Sequence, residues 1–232
     1  MNKLDFELEG KKYYVRIPNQ REMNEADLIY KTKYSEALRY GALTSAEAQK
    51  IIDDREIFVN SDVVEVKKLF EQVAKQGTAL METEDYEKAA DLIIQIEQTR
   101  MKIMEINRKK SNILDNTAES YADEHRLQFY TFSCSFYEDG TLIFKDINDY
   151  LERAAEPIAI LSLNKMIYLI ANDGKDFRQE WPEYKWRIEH GLMDENLVPT
   201  DKKVDELLEK ADKALKRPRK KRVSKKKVSS KK

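Results

Sequence analysis

Residues 61–110 read SDVVEVKKLFEQVAKQGTALMETEDYEKAADLIIQIEQTRMKIMEINRKK. In the first part, Val63, Val66, Leu69, Phe70 and Val73 recur at intervals of three and four, which puts them on one stripe of an α-helix from about Ser61 to Gln76. Gly77 and Thr78 then read as a break. Beyond it, Ala89, Leu92, Ile93, Ile96, Ile103 and Ile106 repeat the same spacing and predict a second, longer helix from about Glu84 to about Lys110. Two adjacent amphipathic helices bury their stripes most simply against each other. The stretch therefore predicts a long antiparallel helical hairpin, and nothing in its seam has the chemistry of a cofactor site.

The rest of the chain is consistent with a mainly α protein. Only 6 Gly and 5 Pro occur in 232 residues, and helices need few such breakers. One exception lies at the start. In KLDFELEGKKYYVRI, residues 3–17, Leu4, Phe6 and Leu8 alternate with polar neighbours, as do Tyr13, Val15 and Ile17. This predicts a small β-hairpin around EGKK with one apolar face, and two strands need a helix beneath them to be stable. After Pro18, apolar or small residues at Met23, Ala26, Ile29, Tyr30, Tyr34, Ala37 and Leu38 predict a helix capped by Gly41. Thr44 and Glu47 form a capping box that starts another through Arg55.

Beyond residue 115 the composition turns aromatic. Asp139-Gly140 predicts a tight turn, and Asp146 an N-cap for a helix beginning INDYLERAAE. Pro157 interrupts that helix. The segment IAILSLNKMIYLIAN, an apolar run broken by Asn164 and Lys165, is expected to be the most buried helix of the chain. Asp176–Glu195 reads as a short turn and helix. The predicted organisation is 1–60 (β-hairpin plus helices), 61–115 (helical hairpin), 116–198 (aromatic-rich helices forming one globular unit with 1–60) and 199–232 (charged linker and basic, disordered tail).

Charge divides along the same line. Eleven of the 42 basic side chains and none of the 43 acidic ones fall in 216–232, which leaves residues 1–215 with a net charge of −12. An acidic body is repelled by phosphate backbones and a cationic tail is drawn to them. Lys216, Arg217, Arg219, Lys220, Lys221, Arg222, Lys225, Lys226 and Lys227 are the candidate polyanion-binding residues. The tail has no aromatic for base stacking and no Asn or Gln for base edges, so any binding would be to phosphates and insensitive to sequence. A solvated tail without a ligand explains the same composition.

Catalytic and metal chemistry finds no foothold. His125 and His190 lie far apart, outside any metal-ligand spacing. There is no phosphate-binding glycine loop and no Gly-x-Ser-x-Gly elbow. Cys134, in TFSCSFY, reads as a small core residue, and a single Cys makes no internal disulfide. No enzyme and no cofactor is expected. MNKLDFELEGKK has no secretory apolar core, and no run reaches membrane-span length, so a soluble, cytoplasmic protein is expected. Trp181, Tyr184 and Trp186 fall within six residues. They suit either a core cap or an anchor for a protein partner.

Three stretches carry a resemblance to a family. NEADLIYKTKYSEALRYGALTSAEAQKIIDDREIF (24–58) shows an acidic amphipathic helix, a glycine break, a short second helix and an aromatic. DNTAESYADEHRLQFYTFSCSFYEDGTLIFKDINDYLERA (115–154) and PEYKWRIEHGLMDE (182–195) follow in the same order. Across most of residues 1–198 the pattern resembles tailed-bacteriophage virion-assembly proteins similar to tail assembly chaperones. The tail departs from that pattern. The resemblance implies a non-enzymatic protein that binds a tape-measure or other tail subunit before polymerisation. The partner would sit in apolar grooves between helices, with Tyr30, Tyr34, Leu38, Trp181 and Trp186 as candidate contacts. A nucleic-acid-associated protein acting through its tail, and a structural subunit of the virion, are the alternatives.

Overall fold

A computed structural model of the chain describes residues 3–171 and 176–194. It is mainly α-helical with a small sheet at the N-terminus. Strands β1 (Lys3–Leu8) and β2 (Lys11–Arg16) form an antiparallel hairpin in which Leu8 faces Lys11. The two-residue turn between them, Glu9-Gly10, has both φ angles positive, 52° and 76°. That turn twists in the sense the flanking strands require, and it fixes the register so that Leu4, Phe6, Tyr13 and Val15 share the inner face.

Helices α1 (Gln20–Arg39) and α2 (Ser45–Asp54) follow. Asn19 and Thr44 cap them, each in a reciprocal capping box with Glu22 or Glu47. Then come α3 (Asn60–Met81), α4 (Tyr86–Leu114) and α5 (Ala118–Ser133). A third strand, β3 (Ser135–Tyr137), pairs antiparallel with β2 and gives the sheet the order β1-β2-β3. The chain continues through α6 (Ile147–Glu152), α7 (Pro157–Ala171), a single 3₁₀ turn (Phe177–Glu180) and α8 (Pro182–Glu189). No described helix is long and apolar enough to cross a membrane.

The helical hairpin forms as its periodicity dictates, with one difference. Gly77 and Thr78 do not end α3, which runs on to Met81. The glycine is buried, and a Cβ there would lie 2.6 Å from Cγ of Pro182 at the start of α8. Its missing side chain serves a close helix–helix approach, and the turn is left to Glu82–Asp85, with Asp85 accepting from the amides of Glu87 and Lys88. Leu69, Val73 and Leu80 meet Ala89, Ile93, Ile96 and Ile103 across the seam, and Trp186 of α8 closes its end. Val63 and Phe70, expected on the stripe, point to solvent.

A second core lies under the sheet. Tyr13 packs with Ile143, Phe144, Tyr150, Ile158 and Ala159. Val15 packs with Cys134, Met166 and Leu169. Helix α7 is therefore the support that the hairpin needed, and α1 packs along α5 beside it. Loop contacts join the α1–α2 connection to the start of α5. The amide of Ala118 donates to the carbonyl of Leu43 at 2.8 Å, and that of Ser45 to the Glu119 carboxylate at 2.8 Å.

Helices α5, α6 and α7 and strand β3 pack with the N-terminal part of the chain, while α8 packs against α3 of the 61–115 hairpin. Helix α7, expected to be the most buried, turns Ile158, Ala159, Ser162, Met166 and Leu169 into the core and leaves Ile160, Ile167 and Ile170 exposed. The expected linker and tail at 199–232 lie outside the described residues.

Candidate protein-docking site

Helix α7 leaves a row of apolar side chains exposed along one face. Pro157 starts the helix without needing an intrahelical partner for its nitrogen, and the Glu156 carbonyl accepts from the amides of Ala159 and Ile160. Ile158, Ala159, Ser162, Met166 and Leu169 then turn inward. With 3.6 residues per turn, Ile160 and Ile167 fall opposite that core together with Asn164 and Ala171, and Leu163 and Ile170 flank them on one side. Their burial follows suit: Ile160 is 47 %, Ile167 37 % and Ile170 51 % exposed, and Leu163 is half-buried. Apolar side chains that could have been charged at no cost to the core instead form a stripe with no ionisable residue in it.

Beside the stripe runs a groove between α5 and α7 of about 440 Å³. Leu127 and Tyr130 of α5 and Ile167 and Ile170 of α7 make its apolar walls, and Asp123 and Arg126 form its polar rim. The Arg126 guanidinium is held in place by Asp123 at 2.6 Å and lies 5.1 Å from the centre of the Tyr30 ring. Tyr30 in turn stacks on Tyr34 with ring centres 6.1 Å apart. Burial raises the hydroxyl pKa of both Tyr30 and Tyr130, so neither ionises near neutrality. Tyr30 and Tyr34 thus stand half-buried next to the groove, linked to its rim through Arg126.

The remaining sequence-based candidates do not converge there. Leu38, 40 % exposed, sits in the last turn of α1, two helical turns beyond Tyr30. Trp181 is partly covered by the Arg100 guanidinium, 3.8 Å from its ring centre, and touches Phe177 and Tyr184. Trp186 is a core residue and not a partner anchor: it is 1 % exposed, its indole N–H donates to the Thr83 carbonyl at 3.1 Å, and His190 stacks on it at 4.0 Å. An amphipathic aromatic on a short helix finds its partner within the fold, in the end of the α3–α4 seam. Around it, buried Glu183 pairs with Arg100 at 2.7 Å and Arg187 with Glu97 at 3.1 Å. The nine candidate polyanion contacts from Lys216 to Lys227 lie outside the described residues.

A larger concavity, about 710 Å³, opens at the sheet, with Tyr14 of β2 and Leu161 and Lys165 of α7 in its lining. Lys3 bonds Asp5 at 2.8 Å, Lys12 faces Glu138 at 3.8 Å, and Glu7 and Lys165 in the lining are of opposite sign. That leaves no net charge to select a ligand.

Among the described residues no cluster of three or more His, Cys, Asp and Glu side chains could hold a metal ion. Cys134 is fully buried and desolvation pushes its thiol up to about 11, so it stays protonated and unreactive at neutral pH. The Arg16 guanidinium, bonded to Glu22 at 2.6 and 2.7 Å, holds that carboxyl below its ordinary value and braces the sheet against α1. His125 and His190 each bond a carbonyl four residues back through Nδ1.

Sequence reasoning missed the α7 face. Its signal was present as the spacing 160, 163, 167 and 170, but an apolar run reads as buried, and only the fold shows which side has no cover. Comparison with known proteins returns no match: no family model, no curated protein and no solved structure aligns with the chain.

Proposed function

We propose that this protein is a non-enzymatic assembly factor that binds a virion subunit of tail or tape-measure type and delays its self-association. One observation carries the binding half of the reading, the uncharged stripe of Ile160, Leu163, Ile167 and Ile170 beside the α5–α7 groove. A helix with anchors at i, i+3 and i+7 fits such a stripe, which is how amphipathic segments are commonly held in grooves. The virion half rests on the resemblance of residues 24–58, 115–154 and 182–195 to phage assembly proteins. Tyr30 and Tyr34 extend the contact past Arg126, and Leu38 and Trp181 lie outside it.

The experiment compares tagged full-length protein, residues 1–215 and Ile170→Glu, recovered from native lysate with and without nuclease. Mass spectrometry should find the same tail subunit with the first two forms, insensitive to nuclease, and at least tenfold less with Ile170→Glu. Capture by the full-length form alone, released by nuclease, would replace this reading with the second one. That second reading, a nucleic-acid-associated protein, is favoured by the eleven basic and no acidic residues of 216–232. Finding the protein in purified virions at the copy number of a structural component would favour a resident subunit.

A further inference from the structure

The four residues of the α7 stripe have a second property. The gaps between Ile160, Leu163, Ile167 and Ile170 are three, four and three residues. This is the alternation of a coiled-coil seam, and it reads the same in both directions. A palindromic seam can meet itself across a two-fold axis with every residue matched. When two copies of α7 run antiparallel, Ile160 faces Ile170 of the partner subunit, and Leu163 faces Ile167 of the partner subunit. No stripe residue is ionisable, so the axis brings no like charges together. Asn164 and Ala171, exposed beside the stripe on the side directly opposite the core, are also uncharged.

We infer that in the absence of a client the α7 face is covered by a second copy of this chain, in an antiparallel, two-fold α7–α7 contact that the client must displace. The α5–α7 groove supports that pairing, since Ile160 of the partner subunit arrives beside Ile170, where Leu127 and Tyr130 already form an apolar wall. An isologous contact also closes on itself. It hides the stripe without nucleating a filament, which an exposed heterologous patch would risk.

The area sets the strength. Three isoleucines about half exposed, with the rims of Leu163, Leu127 and Tyr130, amount to roughly 400 Å² per copy, about 800 Å² in total. Stable standard interfaces bury about 1,200–2,000 Å², so this contact falls in the weak, exchanging class. Weakness is what the role needs. A tight dimer would deny the face to the client, and no cover at all would leave the stripe open to aggregation. The inference rests on the α7 face being the client site, and the two are separable by experiment.

The test uses the full chain. Sedimentation equilibrium from about 1 to 500 µM should show a monomer–dimer equilibrium with a dissociation constant on the order of tens of micromolar. Ile167→Glu should remain monomeric across that range, a shift of at least tenfold, while keeping the wild-type far-UV circular dichroism. The double variant Ile160→Cys/Ile170→Cys should form a disulfide-linked dimer under mild oxidation. Ile160→Cys alone should not, because the two-fold axis keeps its copies far apart, and buried Cys134 does not compete. A monomer at 500 µM, or a dimer indifferent to Ile167→Glu, would overturn the inference. So would faster amide exchange in α7 on truncation to 1–194, which would mean that the chain's own C-terminal segment covers the stripe. A wild-type protein that stays monomeric at 500 µM while its client capture is still lost in Ile170→Glu removes only the dimer. An intact Ile167-dependent dimer with capture unaffected by Ile170→Glu removes the client reading and leaves the dimer standing.

Discussion

Gly77 shows how a single residue can be legible in the wrong sense. Beside Thr78 it reads as a helix stop, since glycine costs about 1 kcal/mol against alanine within a helix. In the fold it continues α3, and its absent side chain leaves room for Pro182, whose Cγ would lie 2.6 Å from an added Cβ. The packing demand outweighs the propensity cost because that approach seats α8 and inserts Trp186 at the end of the hairpin. Gly77→Ala should therefore destabilise the protein by about 1–3 kcal/mol, although it improves helix propensity. Thr78→Ala, one residue on and exposed, should change stability by only a few tenths of a kcal/mol, in the stabilising direction. Urea unfolding of both variants checks the pair. A stabilised Gly77→Ala protein would mean that α8 does not sit against α3 in solution.

At the scale of elements, helix ends separate what sequence signals from what it conceals. Helices α1 and α8 end in the same arrangement: a left-handed residue after the cap, with the next amide bonding back to a carbonyl five residues earlier. Gly41 and Gly191 supply it, with φ of 84° and 67°, and Ala42 and Leu192 donate to Ala37 and Arg187. Gly41 was readable for that reason. Helix α2 ends identically, with Ile57 donating to Ile52 at 3.0 Å, but its left-handed residue is Glu56 at φ 51°. Nothing about a glutamate announces that conformation, which costs an L-residue about 1 kcal/mol. Glu56→Gly should thus raise stability by about 0.5–1 kcal/mol after allowance for the freer unfolded chain, read as a higher thermal midpoint with unchanged circular dichroism. A lower midpoint would show that the Glu56 side chain contributes a contact that outweighs its backbone strain. Strand β3 was hidden for a related reason. Three residues in an aromatic run, SFY, give no alternation to count, and their pairing with β2 is decided 120 residues away.

For the whole molecule, the elements and the pairing of neighbours along the chain were legible, and the long-range partnerships were not. The helical hairpin follows from its own periodicity, but α8 belongs to it only because Arg100 meets Glu183 and Trp186 meets Thr83 across 83 and 103 residues. The open side of α7 depends equally on which neighbours arrive. Net charge needs no such knowledge and supports a prediction at this scale. Residues 1–215 carry −12 and the last seventeen carry +11, so any attraction to a polyanion must come from the tail acting against the repulsion of its own body. Counterion release makes such binding steep in salt: six to ten phosphate contacts cost about 10³–10⁵ in affinity between 50 and 200 mM. The opposing body charge is screened by the same salt over about 10 Å, which softens the slope without reversing it. Full-length protein should therefore bind single-stranded DNA in low salt and release it below 300 mM, with no preference among sequences. The 1–215 form should not bind at any salt concentration, while melting within a degree or two of the intact chain. Fluorescence anisotropy across a salt series measures both. Salt-insensitive binding, or binding retained by 1–215, would place the polyanion contact on the folded body and give the tail another purpose.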